Sequence, residues 1–312
     1  MNRAGHLQVV RSPARPGPGQ VPDQVLRALD ITIGKRVSGL LNGDYRSGQT
    51  GQGTELALIR AYETGDDIRR IDWNVTARTG EPHVRAMVAE RMLTTWLVLD
   101  TSASMHFGTA ERRKADVAEG VAIAMGNIAT RRGNRLGIMA YGSGDPRVIP
   151  PAQGRSGMLG VLETLRREHE AGDPAGKKGS LGDALGRIGT FAKMSRVVAI
   201  VSDFRGERDW PNQLLELAGR HTVLAIEIQD QRELELPDVG ELWLIDPETG
   251  RQLRANTSSK DLRERFATAA KAERGEVAGI LQKAGAHHIV LSTSGDWLRT
   301  FATSLSRKGA RS

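Results

Sequence analysis

Short, uninterrupted apolar runs constrain this chain more than any other feature. Two of them stand out, at residues 96–99 and 197–201, and a mostly apolar stretch lies at 222–228. A strand that is apolar on both sides has both faces buried, as in a parallel sheet covered by helices. Stretches with helical periodicity lie between the runs, for example at 116–131 and 181–192. Strands that alternate with helices predict an open, doubly wound, mostly parallel α/β sheet of the Rossmann type.

Weaker patterns complete this prediction. Pro150 and Pro151 limit an apolar pair at 148–149 to a short edge strand. The remaining predicted elements are strands at 135–140 and 289–291, helices at 158–167, 259–284 and 296–305, and a hairpin of 243–245 with 252–254. Together these elements predict one α/β domain over residues 92–306.

The regions outside that domain differ in composition. Residues 1–20 are rich in Pro and Gly and lack the apolar core of a signal peptide, so we expect a disordered lead-in. Residues 21–91 form a separate N-terminal segment with an amphipathic helix at 21–37 and a strand at 82–88. Residues 307–312 form a basic tail.

Composition excludes several classes of function. The chain has no cysteine, which rules out disulfides, thiolate zinc sites and cysteine nucleophiles and suits a reducing cytoplasm. It has no apolar run of roughly eighteen residues, so we expect no membrane span. The net charge is +7, but the basic residues are spread among acids and aromatics make up only 4%. We therefore expect a diffusely basic surface and no nucleic-acid partner.

Oxygen-bearing side chains follow the apolar runs. The first run leads into Asp100, Ser102 and Ser104, Ser180 precedes a predicted helix, and Asp203 follows the run at 197–201. Because ligands of open α/β sheets bind beyond the carboxyl ends of the strands, we expect these side chains to meet there. Each residue taken alone could equally be a turn or N-cap residue.

The chemistry of this set suits a divalent cation. Carboxylate and hydroxyl oxygens are ligands that Mg²⁺ prefers, and Mn²⁺ or Ca²⁺ are alternatives. Few direct charges leave the ion incompletely neutralised, so an Asp or Glu of a partner protein is a natural last ligand. The sequence therefore predicts an anion receptor built around a cation.

The same residues resemble the metal-ion-dependent adhesion site of von Willebrand factor A-type domains. Asp100, Ser102 and Ser104 match its first motif, Ser180 stands where that family usually has Thr, and Asp203 matches the later carboxylate. The resemblance implies that Ser102, Ser104 and Ser180 ligate the metal. It also implies that the two carboxylates act directly or through water.

The upstream segment adds a second resemblance. The stretches 53–56, 59–73 and 76–78 carry Gly-Thr-Glu-Leu, then Ile-Arg-Ala-Tyr-Glu-Thr-Gly-Asp-Asp-Ile-Arg-Arg-Ile-Asp-Trp, then Thr-Ala-Arg. These stretches are similar to the signature of the bacterial domain-of-unknown-function family 58, and the similarity extends over about residues 25 to 300. The resemblance implies a MoxR-type AAA+ ATPase as the partner, with a role as adaptor or co-chaperone in protein complex maturation.

Charged residues dominate the upstream signature. Asp66 and Asp67 could form an acid/base pair. The interleaved arginines, among them Arg60 and Arg69, favour instead a structural network of salt bridges. We expect Trp73 to be a core anchor.

One enzymatic alternative remains, a Mg²⁺-dependent phosphohydrolase with Asp100 as the nucleophile. Haloacid-dehalogenase-like enzymes place a second Asp, the general acid, two residues after the first. This chain has Ser102 at that position, and a serine hydroxyl supplies no proton near neutral pH. We therefore predict a binding module and not an enzyme.

Overall fold

The computed structural model describes residues 55–88, 94–129, 134–142, 144–154, 156–157, 160–161, 164, 179–192, 197–245 and 251–307. The predicted lead-in, the helix at 21–37, most of the helix at 158–167 and the tail beyond 307 lie outside these residues. The chain divides into two compact units, one over 38–92 and the other containing 93–312.

The smaller unit is built on an antiparallel strand pair. Strand β1 (Glu55–Ala61) pairs with β2 (His83–Val88), and helix α1 (Trp73–Thr79) lies between them in sequence. Asp72 caps α1 by accepting hydrogen bonds from the backbone N–H groups of the second and third helical residues. Its other carboxylate oxygen lies 2.8 Å from Arg85 Nε, which ties the start of the helix to β2.

The acidic pair of the smaller unit is engaged in local structure. Asp66 accepts two hydrogen bonds from the Arg60 guanidinium, at 2.7 and 2.8 Å, and one from the Glu63 backbone. The hydrogen bond from Arg60 lowers the pKa of Asp66 more than any other contact. Asp67 accepts from the Arg69 backbone and caps a 3-10 turn. These contacts agree with the predicted structural network of salt bridges.

The prediction for Trp73 was wrong. Its side chain is 69% exposed, and it stands in the first turn of a seven-residue helix that has no buried residue. A helix this short, capped by Asp72, is held by its polar ends and needs no aromatic anchor.

The larger unit contains the predicted sheet. Its strands run in the order β10-β7-β6-β3-β4-β5, and each neighbouring pair is parallel except β4 with β5. The strands are β3 (Thr94–Asp100), β4 (Arg135–Gly142), β5 (Gly144–Gln153), β6 (Val197–Ser202), β7 (Thr222–Gln229) and β10 (His287–Ser292). The apolar runs form the buried strands β3, β6 and β7, which confirms the predicted α/β class.

Helices follow the strands along the chain. They are α2 (Lys114–Ala129), α3 (Leu181–Phe191), α4 (Pro211–Ala218), α5 (Lys260–Lys283) and α6 (Trp297–Arg307). Alternate residues of β3, Trp96 and Val98, belong to a core that includes side chains of α3, α4 and α5. Helices α2 and α6 pack on each other, and both contact the sheet. Strands β8 (Glu241–Ile245) and β9 (Gln252–Asn256) form the predicted hairpin.

Two elements differ from their predictions. Strand β5 has ten residues and passes through Pro150 and Pro151, where the prediction ended it. It is the edge strand, and its pairing with β4 shifts register beside the two prolines, so their missing N–H groups cost few ladder bonds. Helix α4, which begins at Pro211, was not predicted because its eight residues are too few for a clear periodic pattern.

The central position of β3 leads to a stability prediction. Leu97 is 0% exposed within this strand, so Leu97→Ala should lower the free energy of unfolding by about 2–5 kcal/mol in urea titrations. The matched change Leu215→Ala, at a side chain that is 57% exposed on α4, should cost less than about 1 kcal/mol. Equal losses in the two variants would contradict the assigned core.

Candidate functional site

The candidate site lies where β3, β4 and β6 end side by side. Asp100 is the last residue of β3 and pairs in register with Tyr141 of β4. Ser202 is the last residue of β6, the strand on the other side of β3. Because these strands are parallel, their carboxyl ends meet at one edge of the sheet.

Asp100 is the centre of this edge and accepts hydrogen bonds on both oxygens. The backbone N–H of Ser102 donates to Oδ1 at 3.0 Å. The Ser202 hydroxyl donates to Oδ2 at 2.6 Å, and the Tyr141 hydroxyl lies 2.9 Å from the same atom. All of these donors are uncharged, and the carboxylate is only 6% exposed.

The negative charge of Asp100 is therefore buried and only partly stabilised by its hydrogen bonds. Burial, and after it the negative charge of Asp203, raise the pKa of Asp100 to about 6. Hydrogen bonds from Ser102 and Ser202 act in the opposite direction but do not offset burial. A nearby cation would stabilise the ionised form of this group.

Asp230, at the same end of the sheet, is a carboxylate for which neutral hydrogen-bond donors fully offset the effect of burial. It is buried after β7 and accepts from the Thr109 N–H at 2.9 Å, the Thr109 hydroxyl at 2.6 Å and the Thr293 hydroxyl at 2.6 Å. Burial would raise its pKa, but these hydrogen bonds outweigh burial and lower it. At Asp100 the hydrogen bonds do not outweigh burial, and the negative charge of Asp203 adds to the effect of burial.

The loop after β3 brings the two serines of the motif to Asp100. Residues Ala103–His106 form a 3-10 turn, and the hydroxyls of Ser102 and Ser104 lie 3.1 Å apart. The Ser102 hydroxyl also hydrogen-bonds the Asp100 carboxylate, and the Ser104 hydroxyl hydrogen-bonds the carboxylate of Asp203. Four of the five predicted site residues thus form one connected polar group.

Ser180, the fifth residue, is the N-cap of α3. Its hydroxyl accepts from the Asp183 backbone N–H at 3.0 Å, and no hydrogen bond described for it goes to the other four residues. The loop that carries Ser180 is hydrogen-bonded to the β4–β5 turn, where the Gly179 N–H donates to the Gly144 carbonyl. In that turn Gly142 has φ +103°, and a Cβ there would lie 2.5 Å from the Ser102 nitrogen.

Asp203 is held by a cation from another element. The ammonium of Lys114, at the start of α2, lies 2.6 Å from Asp203 Oδ2, and both side chains are 0% exposed. Oδ1 accepts from the Arg205 backbone N–H at 2.9 Å. Burial alone would raise the pKa of Asp203, but the charge and hydrogen bond of Lys114 lower it below its usual value.

A strained residue fixes the turn that carries Asp203. Phe204 has φ +53°, a left-handed conformation that costs of order 1 kcal/mol outside glycine. Its N–H donates to the Ser202 hydroxyl at 2.9 Å, and its ring packs on Trp210 with centroids 5.5 Å apart. Core packing and this hydrogen bond therefore hold the backbone after β6 in a conformation in which the Asp203 carboxylate contacts Lys114.

Three residues of the site were not identified from the sequence. Tyr141 and Ser202 each stand at a strand end in register with β3, and that position was the available signal. Lys114 gave no signal, because a lysine at the start of a polar stretch is typical of a solvent-exposed position.

The described residues offer a cation a mainly hydroxyl-based site. Asp100, Ser102 and Ser104 supply hard oxygens in one loop, and Asp203 is joined to them through Ser104. Within the residues that the structure describes, no three His, Cys, Asp or Glu side chains cluster as a metal site. A cation bound here would therefore depend on the serine hydroxyls.

The parallel sheet with one antiparallel edge strand, and the oxygen-bearing loop after its central strand, agree with the doubly wound α/β fold predicted from the sequence. The chain belongs to the family described as Protein of unknown function DUF58, whose profile matches residues 58–276. The resemblance of the upstream segment to this family is thereby confirmed. No helix in the described part of the chain is long and apolar enough to cross a membrane.

Individual proteins resemble this chain in sequence or in structure. Protein Rv1480 of Mycobacterium tuberculosis is 41% identical over 273 residues, which cover 88% of this chain and 85% of the relative. Among solved structures, BatB from Bacteroides thetaiotaomicron has a TM-score of 0.43 at 11% identity, over 70% of this chain and 100% of that one. The SpRpn10 VWA domain has a TM-score of 0.38 at 14% identity, over 68% and 94%.

The raised pKa of Asp100 predicts a specific pH dependence of stability. The folded state holds this proton up to about pH 6, whereas the unfolded chain releases it near 3.8, so stability is lost as the pH rises between these values. In EDTA, Asp100→Asn should therefore gain roughly 2–3 kcal/mol in free energy of unfolding, relative to the wild type, between pH 4 and pH 7.

The control for this measurement is Asp145→Asn, at an exposed position on β5. Its difference from the wild type should stay nearly constant over the same range. If Asp100→Asn gives an equally constant difference, Asp100 is not the uncompensated carboxylate described above.

Proposed function

We propose that this chain is a metal-ion-dependent protein-interaction module in which a divalent cation binds at Asp100, Ser102 and Ser104. One observation supports this most directly. Asp100 is a buried carboxylate that has only neutral donors, and it adjoins two hydroxyls that lie 3.1 Å apart. A cation would supply the missing positive charge at a position already provided with oxygen ligands.

The donor set fits Mg²⁺ best, with Mn²⁺ or Ca²⁺ as alternatives. Mg²⁺ takes oxygen ligands, keeps several waters, and usually binds through one or two carboxylates. Asp100 is the carboxylate that would bind directly, and the two serines add hydroxyl oxygens. In this proposal Asp203 and Ser180 take part through water, since Asp203 is already paired with Lys114 and Ser180 already caps α3.

When bound, the cation supplies an electrophilic centre with room for an acidic ligand. Around it, Tyr141 and Ser202 hold one oxygen of Asp100 and fix the direction of the other. The hydroxyls of Ser102 and Ser104 carry no charge, so they do not neutralise a divalent ion. An Asp or Glu side chain of a partner protein is the group that this arrangement favours.

The partner that we propose is a MoxR-type AAA+ ATPase, with the chain as adaptor or co-chaperone in protein complex maturation. Support comes from membership of the DUF58 family and from the resemblance of the upstream signature. An ATP-driven partner would place this function in the cytoplasm, where ATP is available.

We also propose that the chain is a binding module and not a hydrolase. The position two residues after Asp100 is Ser102, which supplies no proton to a leaving group near neutral pH.

Metal binding is the first test of this proposal. Isothermal titration of the full chain with Mn²⁺ should give one site, and Asp100→Asn should weaken it by about a hundredfold or more because the direct carboxylate is lost. Ser102→Ala should weaken it less, by about tenfold. Asp145→Asn is the matched control and should bind as the wild type does. Wild-type protein that binds neither Mn²⁺ nor Mg²⁺ would refute a cation site.

Partner capture is the second test. With Mg²⁺ present, the immobilised wild type should retain a MoxR-type ATPase, identified by mass spectrometry, whereas Asp100→Asn should not. This variant is a better control than EDTA, because EDTA would also remove the Mg²⁺ that the ATPase itself binds. Mg²⁺-dependent release of phosphate from p-nitrophenyl phosphate, lost in the same variant, would instead establish the hydrolase.

A further inference from the structure

Lys114 is a fully buried cation at the base of the candidate site. Its side chain is 0% exposed, and its ammonium lies 2.6 Å from Asp203 Oδ2 and 2.7 Å from Glu233 Oε1. The ring of Phe107 is a third neighbour, with its centroid 5.9 Å from the ammonium. Burial of an ammonium group is costly unless it is paired, so these contacts fix its position.

The two carboxylates that hold Lys114 are themselves fixed. Glu233 Oε2 accepts from the Asp230 backbone N–H at 3.2 Å, and Glu233 Oε1 lies 3.5 Å from Arg205 Nε. Arg274 donates to the Asp203 carbonyl at 2.8 Å and to Glu227 at 2.7 Å. The ammonium is therefore part of a network that reaches from β6 and β7 to α5.

The carboxylates that adjoin Lys114 and Arg274 are paired with cations, whereas Asp100 is not. Asp203 pairs with Lys114, Glu227 pairs with Arg274, and Glu233 lies between Lys114 and Arg205. Asp100 receives hydrogen bonds from neutral groups only. One negative charge at Asp100 is thus available to a cation, whereas the charge of Asp203 is already taken.

We propose that Lys114 is a positioning residue that keeps Asp203 in an ion pair, so that a divalent cation at Asp100 has a single directly bound carboxylate. This inference rests on the function proposed above and extends it. A divalent ion facing one free carboxylate keeps a net charge of about +1, and with two free carboxylates it would be neutral. Lys114 therefore lowers the affinity of the site for the metal and increases the attraction of the bound metal for a partner's acidic group.

The decisive variant replaces the buried ion pair as a whole. Lys114→Met with Asp203→Asn removes both charges together, a change that buried pairs often tolerate without loss of stability. The amide oxygen of the replacement can keep a water-mediated contact, so if Asp203 does not ligate the metal directly, the double variant should keep a Mn²⁺ affinity within about tenfold of the wild type. A loss of a hundredfold or more would make Asp203 a direct ligand and overturn the proposal.

The single variant Lys114→Met tests the same idea in the opposite direction. It frees the charge of Asp203 and should raise Mn²⁺ affinity by about tenfold or more. Arg274→Met is the matched control, since it also removes a buried cation of the network but contacts Asp203 only at its carbonyl. Mn²⁺ affinity unchanged in Lys114→Met would mean that Lys114 is only structural.

Thermal unfolding of each variant establishes that it is folded at the titration temperature. If Lys114→Met alone does not fold, the double variant still decides the question. Wild type and double variant that bind Mn²⁺ equally would support the role of Lys114. Wild-type protein that does not bind Mn²⁺, beside a Lys114→Met variant that does, would refute the proposed function but uphold the pairing of Lys114 with Asp203.

Discussion

The site depends on one physical constraint, the burial of an acidic side chain at the end of the central strand. The fold places Asp100 where β3, β4 and β6 end together, and supplies it with neutral donors from Tyr141 and Ser202. These donors orient the carboxylate but do not provide a counter-charge, so its pKa is raised to about 6. The proposed cation follows from that imbalance, and so does the need for hydroxyl ligands that leave the cation positively charged.

Buried ion pairs separate the roles of the two carboxylates. Asp203 and Asp100 are linked through the serine hydroxyls. The pKa of Asp203 is nevertheless lowered and that of Asp100 raised, because of these two carboxylates it is Asp203 that pairs with Lys114. A site built from two equivalent acids would hold a metal more strongly and offer it less to a partner. In the proposed site, separate environments for the two carboxylates would let the same loops bind a cation and leave it electrophilic.

Much of the fold could be predicted because its strands are apolar on both faces. Strands β3, β6 and β7 could be predicted from their apolar stretches alone. The loop that carries Asp100, Ser102 and Ser104 could be predicted because it follows β3 directly. Features set by tertiary contacts could not be predicted. Lys114 is a common surface residue that only pairing with Asp203 and Glu233 brings inside. The course of β5 through two prolines depends on its place at the edge of the sheet.

The central claim is most directly tested by anomalous diffraction from crystals of the full chain grown with Mn²⁺. The account predicts one strong peak within about 2.5 Å of oxygens of Asp100, Ser102 and Ser104. The same map should show the Lys114 ammonium still paired with Asp203. A map without a peak at this loop, or with Mn²⁺ bound elsewhere, would contradict the account.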